Sequence, residues 1–124
     1  MEKSTIALVT RAEWVAVFIA AIFAYWLNGA GWGLFAILIL APDLAMTGYL
    51  AGPKVGGTMY NIAHFLLWPI ALISYGLAAN HQMVLGIGLI WLAHIALDRM
   101  LGYGMKLPTG FRDTDMGRIG HGEG

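Results

Sequence analysis

The sequence predicts an all-α integral-membrane four-helix bundle with both termini in the cytoplasm. Three observations lead there. The 124 residues are 59% hydrophobic and only 11% charged, with a mean hydropathy of +0.70, too apolar for a soluble domain of this size. The apolar residues gather in four stretches, roughly Trp14–Leu27, Gly31–Leu50, Tyr60–Ala78 and Met83–Leu101. If each crosses a bilayer, all seven Lys and Arg residues fall on one side: Lys3, Arg11, Lys54, Arg99, Lys106, Arg112 and Arg118. The connections on the other side, Asn28–Ala30 and Ala79–Gln82, carry no formal charge. Basic residues are retained on the cytoplasmic face because moving them across is unfavourable. An odd number of crossings would split them between the sides.

The expected organisation is one transmembrane domain over residues 1–124, with helices at about 6–27, 31–50, 60–78 and 83–101 and a polar tail over 102–124. The first run ends in Tyr25-Trp26-Leu27 rather than a small-x-small cleavage site, so it reads as a retained helix and not a signal peptide. Tyr25, Trp26 and Trp32 read as an interfacial aromatic belt on the outer side. In the second run Pro42-Asp43 breaks the pattern, and a helix that stops or kinks there aims Asp43 inward. The Gly- and Pro-rich stretch Gly48–Gly57 reads as a cytoplasmic turn. Pro69 bends the third helix and frees the carbonyl of Phe65. Zero net charge leaves no basic field for nucleic acid. Without Cys there is no thiolate nucleophile and no sulfur ligand.

Hairpin geometry brings the ionisable residues to one depth. In an antiparallel pair, residues equidistant from the turn lie level, because both helices rise ~1.5 Å per residue. With a turn near Ala79, His64 lies level with His94 and Tyr60 with Asp98. A turn near Lys54 brings Asp43 within about a helical turn of His64, and Glu13 reaches the same layer across the first turn. His94 and Asp98 are i and i+4 and share a helix face, as do Tyr60 and His64. Carboxylates and imidazoles on facing helices are how bundles build metal sites. Two His and two Asp oxygens suit Zn²⁺ or another borderline divalent metal. Ionisable groups within a membrane are costly and mark function by default.

Plainer readings stand beside this one. A lone intramembrane His is most often a hydrogen-bonded packing residue, and Asp43 alone would cap the helix after Pro42. Arg99 points ~100° away from Asp98 and is expected to pair with Glu13 or Asp43. A bis-His haem is disfavoured by the adjacent carboxylates. His81 and His121 read as solvated, in a loop and in the tail.

The strings Ala41-Pro-Asp-Leu-Ala-Met46, Gly48-Tyr-Leu-Ala-Gly-Pro53, Tyr60-Asn-Ile-Ala-His64 and Ile90-Trp-Leu-Ala-His-Ile-Ala-Leu-Asp-Arg99 resemble one family, as does Leu101-Gly-Tyr-Gly-Met-Lys-Leu-Pro108. It is the small bacterial integral-membrane family known as domain of unknown function 4260. The resemblance runs from Arg11-Ala-Glu13 to Gly117-Arg-Ile-Gly120 and implies four membrane helices, with no established activity. Near its C-terminus that family's pattern has a His where this chain has Asp115. A fainter likeness is to inner-membrane metal-dependent hydrolases, which carry a Pro-Asp pair, a His-containing segment and a His-x-x-x-Asp helix. Pro42-Asp43, His64 and His94/Asp98 occupy those places in the same order. The hydrolases' middle motif has two His, whereas here Tyr60 and His64 stand at a different spacing. That departure bears on a second metal and on hydrolysis itself.

Two readings result. In the first the chain is a bacterial inner-membrane metalloenzyme, a hydrolase of a lipid-linked or amphiphilic ester at the cytoplasmic face. Asp43, His64, His94 and Asp98 hold the metal, Glu13 is the general base, and Tyr60 and Arg99 stabilise developing negative charge. In the second it is a non-catalytic bundle, scaffolding a partner or binding a ligand, with the same layer as a structural polar lock. A transporter is disfavoured by the absence of an inverted repeat and by polar groups gathered at one end.

Overall fold

The polypeptide, seen in a computed structural model that describes residues 2–102 and the two-residue strands Asp113–Thr114 and Gly117–Arg118, is helical throughout its body. Helix α1 runs Lys3–Asn28. It stops at Gly29, which takes a left-handed φ of 74° and returns its N–H to the Tyr25 carbonyl, a conformation that costs glycine nothing. The second pass does not form the expected continuous helix over 31–50. It begins as helix α2, Trp32–Leu38, and tightens into a 3-10 helix over Ala41–Ala51. Pro42 is the cause: it has no N–H to continue the ladder and its ring crowds the preceding turn.

The expected turn over 48–57 is also much shorter. Gly48–Ala51 belong to the 3-10 helix, Gly52 makes the turn at φ 116°, and helix α3, Pro53–Ala63, starts at once with Pro53 in its first turn. A break at His64–Leu66 separates α3 from helix α4, Leu67–Ala78. It lies one turn before Pro69, where that ring strips the ladder of a donor. The α4 end is closed by Asn80 at φ 54°, with the His81 N–H bonded to the Gly76 carbonyl at 2.8 Å. Helix α5, Gln82–Met100, follows, and His81 caps it by accepting the Val84 N–H at 3.2 Å.

Helix α5 is the centre of the molecule, packed against α1 and α4, while the 3-10 helix packs against α3. Leu89 and Ile90 of α5 and Tyr25 of α1 form the apolar core. Close approach of α4 and α5 depends on two glycines. A Cβ at Gly76 would sit 2.6 Å from the Leu85 backbone nitrogen, and one at Gly88 would sit 2.9 Å from Ile73. Tyr25 departs from the aromatic belt: it is 1% exposed, packs with Trp32 and Phe35, and donates its hydroxyl hydrogen to the Gly31 carbonyl. Trp26 and Trp32, 61% and 48% exposed, do face outward.

Two polar ties mark opposite ends of α1 and α5. At one, the Asn28 and Gln82 side-chain amides donate to each other's backbone carbonyls at 3.0 and 2.7 Å. At the other, Arg11 Nε donates to the Met100 carbonyl at 2.9 Å. Between them the outer surface is apolar, with Ile19 61%, Ile37 76% and Leu77 65% exposed, an outside suited to lipid rather than water. Lys3–Asn28, Pro53–Ala78 and Gln82–Met100 are long and apolar enough to cross a membrane, and Trp32–Leu44 is a shorter apolar helix. The chain is therefore read as a membrane protein. Asp115 and His121 lie outside the described residues.

Candidate metal centre

Antiparallel pairing of α3–α4 with α5 delivers the levels that the hairpin arithmetic expects. Tyr60 Oη donates to Asp98 Oδ2 at 3.2 Å, and His64 Nε2 lies 3.0 Å from His94 Nε2. Asp43, aimed inward from the first turn of the 3-10 helix, places Oδ1 3.0 Å from His94 Nε2 and 3.5 Å from His64 Nε2. Asp98 Oδ2 lies 3.0 Å from His64 Nε2 and 3.3 Å from His94 Nε2. One ligand atom from each of Asp43, His64, His94 and Asp98 falls within 4.8 Å of every other. His64 and His94 are each 1% exposed, and Asp98 8%.

Two backbone carbonyls orient the imidazoles: Ile39 O, released from the helix ladder, and Tyr60 O, which also keeps the His64 N–H. In an unbroken helix the Ile39 carbonyl would accept the Asp43 N–H. Here that N–H turns to Leu40 O at 3.0 Å, in the tighter 3-10 pattern, and Ile39 O instead accepts from His94 Nδ1 at 2.5 Å. His64 Nδ1 donates to Tyr60 O at 2.8 Å, and the ring stacks on that of Tyr60 with centroids 3.8 Å apart. A carbonyl oxygen only accepts, so both Nδ1 atoms carry hydrogen. In neutral imidazoles both Nε2 atoms then present bare lone pairs, facing each other and two carboxylate oxygens. The Tyr60 hydroxyl donates to one of the four atoms, Asp98 Oδ2.

Four converging acceptors repel one another unless a cation, or added protons, sits among them. Zn–N and Zn–O bonds of ~2.0–2.2 Å in a tetrahedron put neighbouring ligand atoms ~3.3–3.5 Å apart. The five separations above run from 3.0 to 3.5 Å. The four residues could hold a metal ion.

The other expected site residues are placed differently. Tyr60 is part of the centre through Asp98. Glu13 is exposed on α1, and among the described residues no hydrogen bond or ion pair joins it to the cluster. Arg99 pairs with neither Glu13 nor Asp43. Its guanidinium lies 5.5 Å from the centre of the Trp14 ring, and Nη2 donates to the His64 carbonyl at 3.5 Å. That contact belongs to a set which sequence reasoning missed. The break after α3 strands carbonyls that a membrane interior must satisfy. Trp68 Nε1 takes Ile62 O at 2.6 Å, Trp91 Nε1 takes Ala63 O at 2.7 Å, and Arg99 takes His64 O. A signal was present, since Pro69 announces a break and indole N–H groups nearby are its natural caps.

No curated protein and no solved structure matches the chain. The profile of a domain of unknown function, DUF4260, matches residues 7–119, nearly the whole length, and the chain belongs to that family.

Proposed function

We propose that Asp43, His64, His94 and Asp98 bind one divalent metal ion, with Zn²⁺ the best match to two imidazoles and two carboxylates. The observation that carries this reading is the pair of Nδ1–H bonds to Ile39 O and Tyr60 O, which turns both Nε2 lone pairs onto two carboxylate oxygens. The rival polar lock needs protons instead of a metal. Protonating both rings would set two N–H groups against each other across 3.0 Å, and one proton shared between the rings would leave the accepting ring's lone pair against a carboxylate oxygen, whereas a metal ion meets all four atoms.

The function that fits is a metal-dependent hydrolase of a lipid-linked or amphiphilic ester, working from the cytoplasmic face of a bacterial inner membrane. A bound divalent ion would supply Lewis-acid chemistry there. Asp98 is held by the Tyr60 hydroxyl, which fixes the direction of its ligating oxygen. Asp43, the more open carboxylate with a side chain 36% exposed, is better placed than Glu13 to take a proton. Arg99, with one N–H on the His64 carbonyl and others to spare, would stabilise developing negative charge, while the single Tyr60 O–H is held by Asp98.

Hydrolysis of an amphiphilic ester by detergent-purified protein tests the catalytic part. Activity should vanish on chelation, return with Zn²⁺, and be absent in Asp43→Asn. Stoichiometric metal with no turnover on any ester would leave a metal-binding bundle and overturn the hydrolase reading.

A further inference from the structure

An apolar cavity of about 320 Å³ is lined by Leu38, Ala41 and Pro42 of the second pass, by Ala63 of α3, and by Ile87 and Trp91 of α5. Pro42 and Ala63 immediately precede Asp43 and His64 in the chain, and Trp91 lies one turn before His94. One end of the cavity is therefore walled by residues within a turn of three of the four ligands along the chain, although no ligand side chain itself lines it. Ile87 stands seven residues before His94, about 10 Å along α5 by its rise per residue, so the cavity extends away from the centre along the helix. Every lining side chain is apolar except the indole of Trp91, whose N–H is taken by Ala63 O. Water needs two to four polar partners, and walls so predominantly apolar offer it few. The volume lies at the small end of ligand pockets, ~300–1,000 Å³.

Within a bilayer, hydrocarbon gains little by moving from lipid into an equally apolar cavity. Selection must come from the head group. A divalent ion with two carboxylates and two neutral imidazoles sums to zero, and Arg99, on the His64 carbonyl, adds one positive charge. A single negative charge complements that field, and a phosphodiester carries one.

We propose that this cavity seats one acyl chain of a phosphodiester-headed membrane lipid, whose anionic head meets the Asp43–His64–His94–Asp98 centre. The proposal rests on the metal reading. The second chain of such a lipid would remain in the bilayer.

The test is photo-crosslinking of purified, zinc-loaded protein with a phosphatidylglycerol analogue carrying a mid-chain diazirine, with metal content measured on the same samples. Label should concentrate on peptides that contain Leu38, Ile87 and Trp91. Ile87→Trp fills the far end of the cavity and should cut this label by roughly tenfold, within the range for forcing volume into packed space, with metal retained. Leu38→Trp does the same from the second pass and serves if Ile87→Trp does not fold. A diacylglycerol carrying the same diazirine chain should label the site weakly, for want of the charge.

Label spread evenly over the outer helix faces, or unaffected by both variants while metal is held, overturns the proposal and leaves the metal reading intact. Equal labelling by diacylglycerol overturns the assigned head group. Failure to bind metal at all defeats the metal reading and, with it, this one.

Discussion

His94 is where the account is most exposed to test at the scale of single residues. If the four side chains hold a metal, His94→Ala should abolish stoichiometric binding while the protein remains extractable and helical. Leu89→Ala, on the same helix and buried in the apolar core, should keep its metal and lose only packing. If the layer is a polar lock, His94→Ala should chiefly cost stability, about 1–3 kcal/mol for the groups it strands. Tyr60→Phe is subtler. Removing the hydroxyl that bonds Asp98 should weaken metal affinity by roughly 10–100-fold, the usual effect of losing a partner that orients a ligand. Competition with a chromogenic chelator measures it, and an unchanged affinity would make that bond irrelevant to the site. At this scale the sequence was legible wherever helix spacing alone decides position, as for His64 opposite His94. Spacing gives depth and leaves open how each helix is rotated. Glu13 shares the layer by arithmetic yet faces outward, and Arg99 finds a carbonyl and an indole ring rather than a carboxylate. Tyr25 likewise turns inward because a hydroxyl can reach the carbonyl of Gly31.

Interruption is the main device among the helical elements. Pro42 converts a helix into a 3-10 run, and that change both aims Asp43 inward and hands the Ile39 carbonyl to His94. Pro42→Ala should let the Asp43 N–H return to Ile39 O, free His94 Nδ1, and lower metal affinity by about an order of magnitude, in line with loss of an orienting hydrogen bond. Unaltered affinity in that variant would sever the link between the break and the site. The stop at Pro42 could be read from sequence. The 3-10 continuation could not, since runs beyond three or four residues are uncommon. Glycines give a paired test of the helix packing. Gly76→Val would drive a side chain into the Leu85 backbone, 2.6 Å away, and should destabilise the fold by about 1–3 kcal/mol or more. Gly33→Ala meets nothing within 4 Å and should be neutral or slightly stabilising. Unfolding in mixed detergent reads both, and equal effects would mean that α4 and α5 do not depend on this close approach.

For the molecule as a whole, the described basic residues Lys3, Arg11, Lys54 and Arg99 gather at the end where Arg11 meets the close of α5. The opposite end, with the Asn28–Gln82 tie, has no Lys or Arg among the described residues. This asymmetry was already visible in the sequence, because charge placement needs no knowledge of packing. The second pass is the open question for topology, being short as an α-helix. Its 3-10 portion rises ~2.0 Å per residue against ~1.5 Å in an α-helix. Residues 32–51 can therefore reach roughly 35 Å, enough for ~30 Å of hydrocarbon. Reporter fusions at Gly124 and within Ala79–Gln82 should then report opposite sides of the membrane, with Gly124 cytoplasmic. The same side for both would refute four crossings.

The central claim is that four acceptor atoms from three separate stretches of chain converge because a cation belongs between them. Metal analysis of detergent-purified protein, before and after chelation and reloading, tests it most directly. The account predicts close to one divalent ion per chain, zinc by preference, removed by chelator or by acid as the ligands protonate and absent from His94→Ala. Wild-type protein that carries no divalent metal, and binds none when supplied, would contradict it.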